Sequence, residues 1–256
     1  MNELLLSKGR LETAWWGPPP DEAPTLVLLH EGLGCVKLWR DFPAMLQTET
    51  GCGVFAYSRF GYGGSDPIAL PRPMTYMHEE AMDVLPEVLD KAGVQRAIVI
   101  GHSDGASIAA IHAGATQDRR LAGIAMIAAH FFVEDLNVAA IQQIKQTYEA
   151  GDLRTRLARY HRDVDGAFYG WNGVWLDPRF KLFDITGYLE AIRIPILALQ
   201  GDDDPYGSDE QLRVLERHTR VPIETRLIPG ARHSPHIENP AETLSSIAAF
   251  VRKLLA

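Results

Sequence analysis

Cysteine is scarce in this chain. Two in 256 residues, Cys35 and Cys52, cannot build a disulfide framework. Free thiols in a reducing compartment are the expectation. Basic charge is also in short supply: 25 Lys and Arg against 33 Asp and Glu leave a net charge of -8. That balance argues against a nucleic-acid surface, which needs a basic face. No apolar run reaches the roughly 20 residues of a membrane span. The start, MNELLL, has neither the basic segment nor the long apolar core of a secretory signal, so a cytoplasmic protein is expected. Metal and phosphate motifs are missing as well. The nine histidines include no H-E-x-x-H, and no G-x-G-x-x-G opens a helix. No metal and no cofactor is therefore expected. Internal repeats and low-complexity tracts are absent.

What is present is the material of a packed core. Apolar residues make up 46% of the chain, ordinary for a packed globular protein, and 256 residues are enough for one large α/β domain or two small ones. The first segment, 4–16, alternates weakly and suggests an antiparallel pair turned at Lys8-Gly9. Short apolar, β-rich runs follow at 25–30, 54–59, 97–103, 122–130, 194–200 and 223–228. Continuous apolar strands imply burial on both faces, hence a mostly parallel sheet covered by helices. The intervening patterns supply the helices. Over 76–92, Met77, Ala81, Val84, Leu85, Val88 and Leu89 form a helical stripe that Pro86 should kink. Asn239, Pro240 and Glu242 mark the start of a last helix. The stretch 133–192 breaks the alternation. It holds no convincing strand and many aromatic residues, as in GAFYGWNGVW at 166–175.

One short stretch carries the chemistry. VIGHSDGASI, residues 99–108, reads as strand, sharp turn and helix, with Ser103 at the turn. It fits G-x-S-x-G, in which small neighbours let a strained serine approach the backbone closely. Such a turn lifts the hydroxyl clear of the sheet and aims the amides of the helix start at any anion formed there. Serine is a poor nucleophile by itself. It needs a base to take its proton and a carboxylate to orient that base. PGARHSPHIENP offers His233 and His236 as base, and LQGDDDPYG offers Asp202, Asp203 and Asp204 as acid. His102 is a poor base, because adjacent side chains diverge on a tight turn. The alternative role for each is that of an ordinary loop residue.

With these motifs in this order, the sequence resembles the α/β-hydrolase fold family over nearly its whole length. The resemblance is to serine carboxylesterases and to ring-fission-product C–C hydrolases. It implies a core built from 1–132 and 193–256 and a helical lid at 133–192. It implies a triad in the order Ser103, Asp204, His233, with Glu134 or Asp135 as the fallback acid. Asp204 lies three residues beyond the strand-end glycine and His233 follows Gly230, which selects them among their neighbours. It also implies an oxyanion hole from the backbone N–H groups of Asp104 and Gly32. Relatives commonly carry His-Gly where this chain has His30-Glu31-Gly32. A carboxylate beside a developing oxyanion is unfavourable unless paired or turned away. The turn YSRFGYGGSD at 57–66 would brace that loop. His102, Trp171, Trp175 and His236 are the expected pocket residues. The expected activity is ester hydrolysis of small or medium apolar substrates. C–C hydrolysis, lactonase and amidase chemistry share the same triad. A hydrolase-fold receptor holding a small ligand with little turnover is the rival from another class, and homo-oligomerisation is left open.

Overall fold

A computed structural model describes residues 2–256. The alternating N-terminal segment folds as a hairpin, β1 (Asn2–Leu6) and β2 (Gly9–Trp16), paired antiparallel. Its turn falls at Ser7-Lys8, one residue earlier than expected. The apolar runs become β3 (Thr25–Leu29), β4 (Gly53–Tyr57), β5 (Ala97–His102), β6 (Leu121–Ile127), β7 (Ile196–Gly201) and β8 (Ile223–Ile228). The sheet order is β1-β2-β4-β3-β5-β6-β7-β8. From β4 to β8 all neighbours are parallel, and every residue of β3, β4, β5 and β7 is buried. That double burial is why these strands read as unbroken apolar runs rather than alternating ones. The edge strand β8 keeps Arg226 and Leu227 exposed.

Helices cover both faces. They are α1 (Phe42–Thr50), α2 (Tyr76–Glu79), α3 (Leu85–Lys91), α4 (Asp104–Ala115), α5 (Asp135–Ala150), α6 (Leu153–Leu157), α7 (Val164–Trp175), α8 (Thr186–Leu189), α9 (Glu210–His218), α10 (Pro235–Glu238) and α11 (Pro240–Leu255). On one face Phe42 and Leu46 of α1 and Ile247 and Phe250 of α11 pack on Leu26, Leu28, Ile98 and Ile100. On the other, Met77, Leu85 and Leu89 meet Ile108 and Ile111 of α4 over Val27, Leu29 and Val99. Each such fully buried side chain contributes about 1.5–3 kcal/mol. α11 starts as its sequence predicts, with Asn239 Oδ1 accepting from the Glu242 N–H.

The helix expected over 76–92 differs in its interior. Between α2 and α3 lies a π-turn, Glu80–Val84, where the Leu85 N–H reaches back to Glu80 O. Pro86 then sits in the first turn of α3, where its missing N–H leaves no gap in the hydrogen-bond ladder. Glu80 is buried there and accepts from Tyr57 Oη at 2.8 Å. The segment between β6 and β7 carries α5 to α8 and one isolated bridge, Phe132 with Asp184. Among the described residues, no helix is long and apolar enough to cross a membrane.

Candidate active site

The turn between β5 and α4 has the geometry its sequence implies. Ser103 stands at φ 53° and ψ -118°, a region that costs a non-glycine residue about 1–3 kcal/mol. The surrounding packing holds it there: the Ser103 N–H donates to Ile127 O at 2.9 Å. A Cβ on Gly105 would sit 2.0 Å from Leu29 O, so the start of α4 can approach β3 this closely only with glycine.

Ser103, Asp204 and His233 come together. Ser103 Oγ is 2.9 Å from His233 Nε2. His233 Nδ1 is 2.9 Å from Asp204 Oδ2 and 3.0 Å from Oδ1. The arrangement fits a neutral ring whose Nδ1–H donates to the carboxylate while Nε2 accepts from the serine hydroxyl. Asp204 lies on the loop after β7 with a side chain closed to solvent, while His233 keeps 17% of its side chain exposed. Gln200 Nε2 and the Tyr206 N–H also donate to Asp204, at 2.5 and 2.8 Å. Burial disfavours the Asp204 charge, but the His233 contact and charge outweigh it and hold the pKa below the ordinary value. Asp202 accepts from the Gly230 N–H and is exposed, as is Asp203. The fallback acids are elsewhere: Glu134 binds Ser208 and Gln211 and Asp135 pairs with Lys181.

The loop after β3 is fixed by hydrogen bonds. Arg59 N–H donates to His30 Nε2 at 2.9 Å, and its Nη2 donates to Glu31 O at 2.9 Å and His30 O at 3.3 Å. His30 Nδ1 lies 2.7 Å from Glu31 O. Burial and the Arg59 charge push the His30 pKa well down, so the ring is neutral and its Nδ1–H donates. The turn at 57–66 thus braces this loop through Arg59. Trp171 of α7 covers the loop so closely that a Cβ on Gly32 would sit 2.1 Å from its Nε1. Among the described residues, neither the Gly32 nor the Asp104 N–H has a protein acceptor. Asp104 follows the serine in sequence, and Gly32 lines the same cavity as Ser103.

Glu31 is paired. Its Oε2 lies 3.4 Å from His102 Nδ1, and His102 Nε2 donates to His233 O at 2.6 Å. Burial opposes a charged His102, but Glu31 overcomes it and the pKa is raised. Glu31 is correspondingly held well below the ordinary carboxylate range, against its own burial, by the same contact. His102 therefore ties the loop after β3 to the backbone of His233, and Glu31 favours the charged form of its ring.

A cavity of about 400 Å³ opens over Ser103 and His233, within the range of small-molecule sites. Trp171 and Trp175 line it as expected, together with Leu33, Ile141, Ile144 and Leu153. His102 and His236 do not, which corrects the sequence expectation. His102 is buried and turned to Glu31 and the His233 carbonyl instead. His236, in α10, is only 4% exposed, with its ring 4.9 Å from Trp39 and 4.8 Å from His102. The sequence reading missed His130, Tyr206, Arg232 and Glu238 as lining residues. His130 and Tyr206 follow strands, and position after a strand end was the one available signal. It also missed the Asp104 side chain, fully buried, which accepts from Tyr76 Oη at 2.6 Å and lies 3.7 Å from Arg59. Among the described residues, no cluster of three or more His, Cys, Asp or Glu could hold a metal ion.

The model of the Alpha/beta hydrolase family matches residues 26–246. Epoxide hydrolase B of Mycobacterium tuberculosis (strain ATCC 25618 / H37Rv) is 32% identical over 134 residues, 51% of this chain and 36% of that protein. The match thus spans about a third of that relative's length. The enol-lactonase from Burkholderia xenovorans LB400 is 19% identical at TM-score 0.74, over 98% of this chain and 100% of that one. Proline iminopeptidase of Mycobacterium smegmatis is 18% identical at TM-score 0.72, over 99% and 98%. These two likenesses establish the shared fold. With the family model spanning most of its length, the chain belongs to the alpha/beta hydrolase family.

Proposed function

We propose that this hydrolase is a serine carboxylesterase acting on small or medium, largely apolar esters. The observation that carries the reading is the continuous chain Ser103 Oγ, His233, Asp204 at 2.9 Å per step beneath the cavity. Ser103 Oγ attacks the acyl carbonyl as His233 Nε2 takes its proton, and Asp204 stabilises the imidazolium. The oxyanion takes hydrogen bonds from the Gly32 and Asp104 N–H groups. Collapse releases the alcohol, protonated by His233. A water activated by the same histidine then attacks the acyl-enzyme, and the acid leaves. The segment 133–192 serves as a lid whose Trp171 and Trp175 form an apolar wall. The hydrolytic names of the relatives support the reaction class, while ester preference rests on the cavity and the triad.

The test is labelling by a fluorophosphonate probe, comparing the parent with Ser103→Ala, followed by an ester panel of increasing acyl length. One label at Ser103, absent in the variant, with turnover of short esters, is the expected result. Labelling elsewhere, or none in a folded protein, rejects the proposal. A bound small ligand with no burst of product would favour the receptor.

A further inference from the structure

We infer that His130 recognises the substrate: its imidazole takes a hydrogen bond from, or gives one to, a hydroxyl or keto oxygen on the α- or β-carbon of the acyl group. The inference rests on the serine hydrolase reading and deepens it by naming the substrate class. His130 follows β6 and its backbone is pinned, with Ser107 Oγ donating to His130 O at 2.7 Å and accepting from its N–H at 3.2 Å. The ring is therefore delivered to one place. It lines the cavity beside Ser103 and is itself only 3% exposed. It stacks on His233 with centroids 5.6 Å apart and meets the edge of Trp175 at 5.3 Å.

Neither ring nitrogen makes a hydrogen bond to the protein, and Nδ1 is buried. Among the described residues with a buried, unpartnered side-chain polar atom, His130 alone lines this cavity. Nδ1 is closed off by the protein, so Nε2, which has no protein partner, is the nitrogen left to meet a ligand in the cavity. Packing does not explain the residue, because a phenylalanine ring would stack on His233 and Trp175 equally well. What imidazole adds is a nitrogen. Burial and the nearby His233 push the His130 pKa down to about 3. The ring is thus neutral at working pH, and its Nε2 either donates or accepts according to the tautomer. That matches an uncharged oxygen function. A carboxylate would gain no ion pair from this neutral ring. The contact with the His233 ring places the group within a few bonds of the scissile carbon.

The experiment compares p-nitrophenyl butyrate with the α-hydroxybutyrate and β-hydroxybutyrate esters, using the parent, His130→Phe and His130→Asn. In the parent, kcat/KM for one hydroxy ester should exceed that for butyrate by about tenfold or more, since a site built for a hydrogen bond discriminates against the analogue lacking it. His130→Phe should erase that preference, lowering the hydroxy ester about tenfold and butyrate less than about threefold. His130→Asn, which keeps a donor and an acceptor, should recover part of it. Equal loss on all esters in a variant that melts normally would make His130 a support for His233 and overturn the inference. No change on any ester would overturn it too. Should turnover be undetectable while Ser103 still labels, protection by trifluoromethyl ketones with and without a β-hydroxyl gives the same reading. Better protection by the hydroxy ketone, lost in His130→Phe, supports it, and equal protection overturns it. Failure of Ser103 to label marks instead a failure of the hydrolase reading.

Discussion

Replacing His102 by glutamine should slow the reaction, and replacing Glu31 as well should speed it up again. With His102 protonated, the pair holds opposite charges 3.4 Å apart, an attraction of about 5 kcal/mol at an effective dielectric of about 20. Burial of the ring offsets part of this. Removing one partner of a buried pair typically costs about 3–5 kcal/mol, because the other charge stays behind. Glu31 keeps 28% of its side chain exposed, so water recovers some of that, and a net loss of about 2 kcal/mol is expected for His102→Gln. In a chain of this size that is a fall of about 4–8 °C in Tm. The effect on rate is separate. The unpaired carboxylate then shares the cavity with Ser103, where the proposed oxyanion develops. At a separation on the order of 8 Å the repulsion adds about 2 kcal/mol to the barrier, or about thirtyfold in kcat. Glu31→Gln removes that charge, so the double variant should turn over at least about tenfold faster than His102→Gln alone. The assay is kcat on the best ester found in the panel, with melting curves for all four proteins. A double variant as slow as the product of the two single losses would refute the charge argument and leave only a packing role for His102.

Three other outcomes follow from the same geometry. Gly32→Ala sets a Cβ 2.1 Å from Trp171 Nε1 and should cost about 10²–10³ in turnover by displacing an oxyanion donor; Trp171→Ala in the same protein should restore a measurable part, and no restoration would place the damage elsewhere. Asp204→Asn keeps the shape but favours the wrong His233 tautomer, so kcat should fall about 10⁴-fold with the fold intact; a loss below tenfold would remove Asp204 from the triad. The His102 pKa is raised on folding, so the pair stabilises below the ordinary histidine value, near pH 6.5, and this is lost as pH rises through the folded value. The Tm gap between parent and Glu31→Gln should therefore be wide near pH 6 and narrow by pH 9, and a gap independent of pH would refute the charged pairing.

Much of the fold was legible because its signals are local. Strands buried on both faces must be apolar throughout, and β3 to β7 announced themselves by that rule. Ser103 was legible because the strained turn demands glycine on both sides. The positions of Asp204 and His233 followed from the family resemblance, and the structure brings both to the serine. The pocket was less legible. His102 and His236 belong to a buried cluster with Trp39, a matter of which way a side chain leaves the backbone. Glu31 looked like a fault in the oxyanion loop because its partner is 71 residues away in sequence. The π-turn at Glu80–Val84 has no composition of its own. Asp104 seemed only a backbone donor, since Tyr76 and Arg59 reach it from distant segments.

The attachment of the helical segment between β6 and β7 limits how this enzyme can be remodelled. Trp171 sits against Gly32, and α8 lies so close to α4 that a Cβ on Gly114 would meet Tyr188 O at 2.3 Å. Swapping 133–192 for the equivalent piece of another family member would leave two glycines facing empty space. Chimeras that transplant only this segment should expose that mismatch, whereas a donor segment exchanged together with residues 32 and 114 keeps both seams closed.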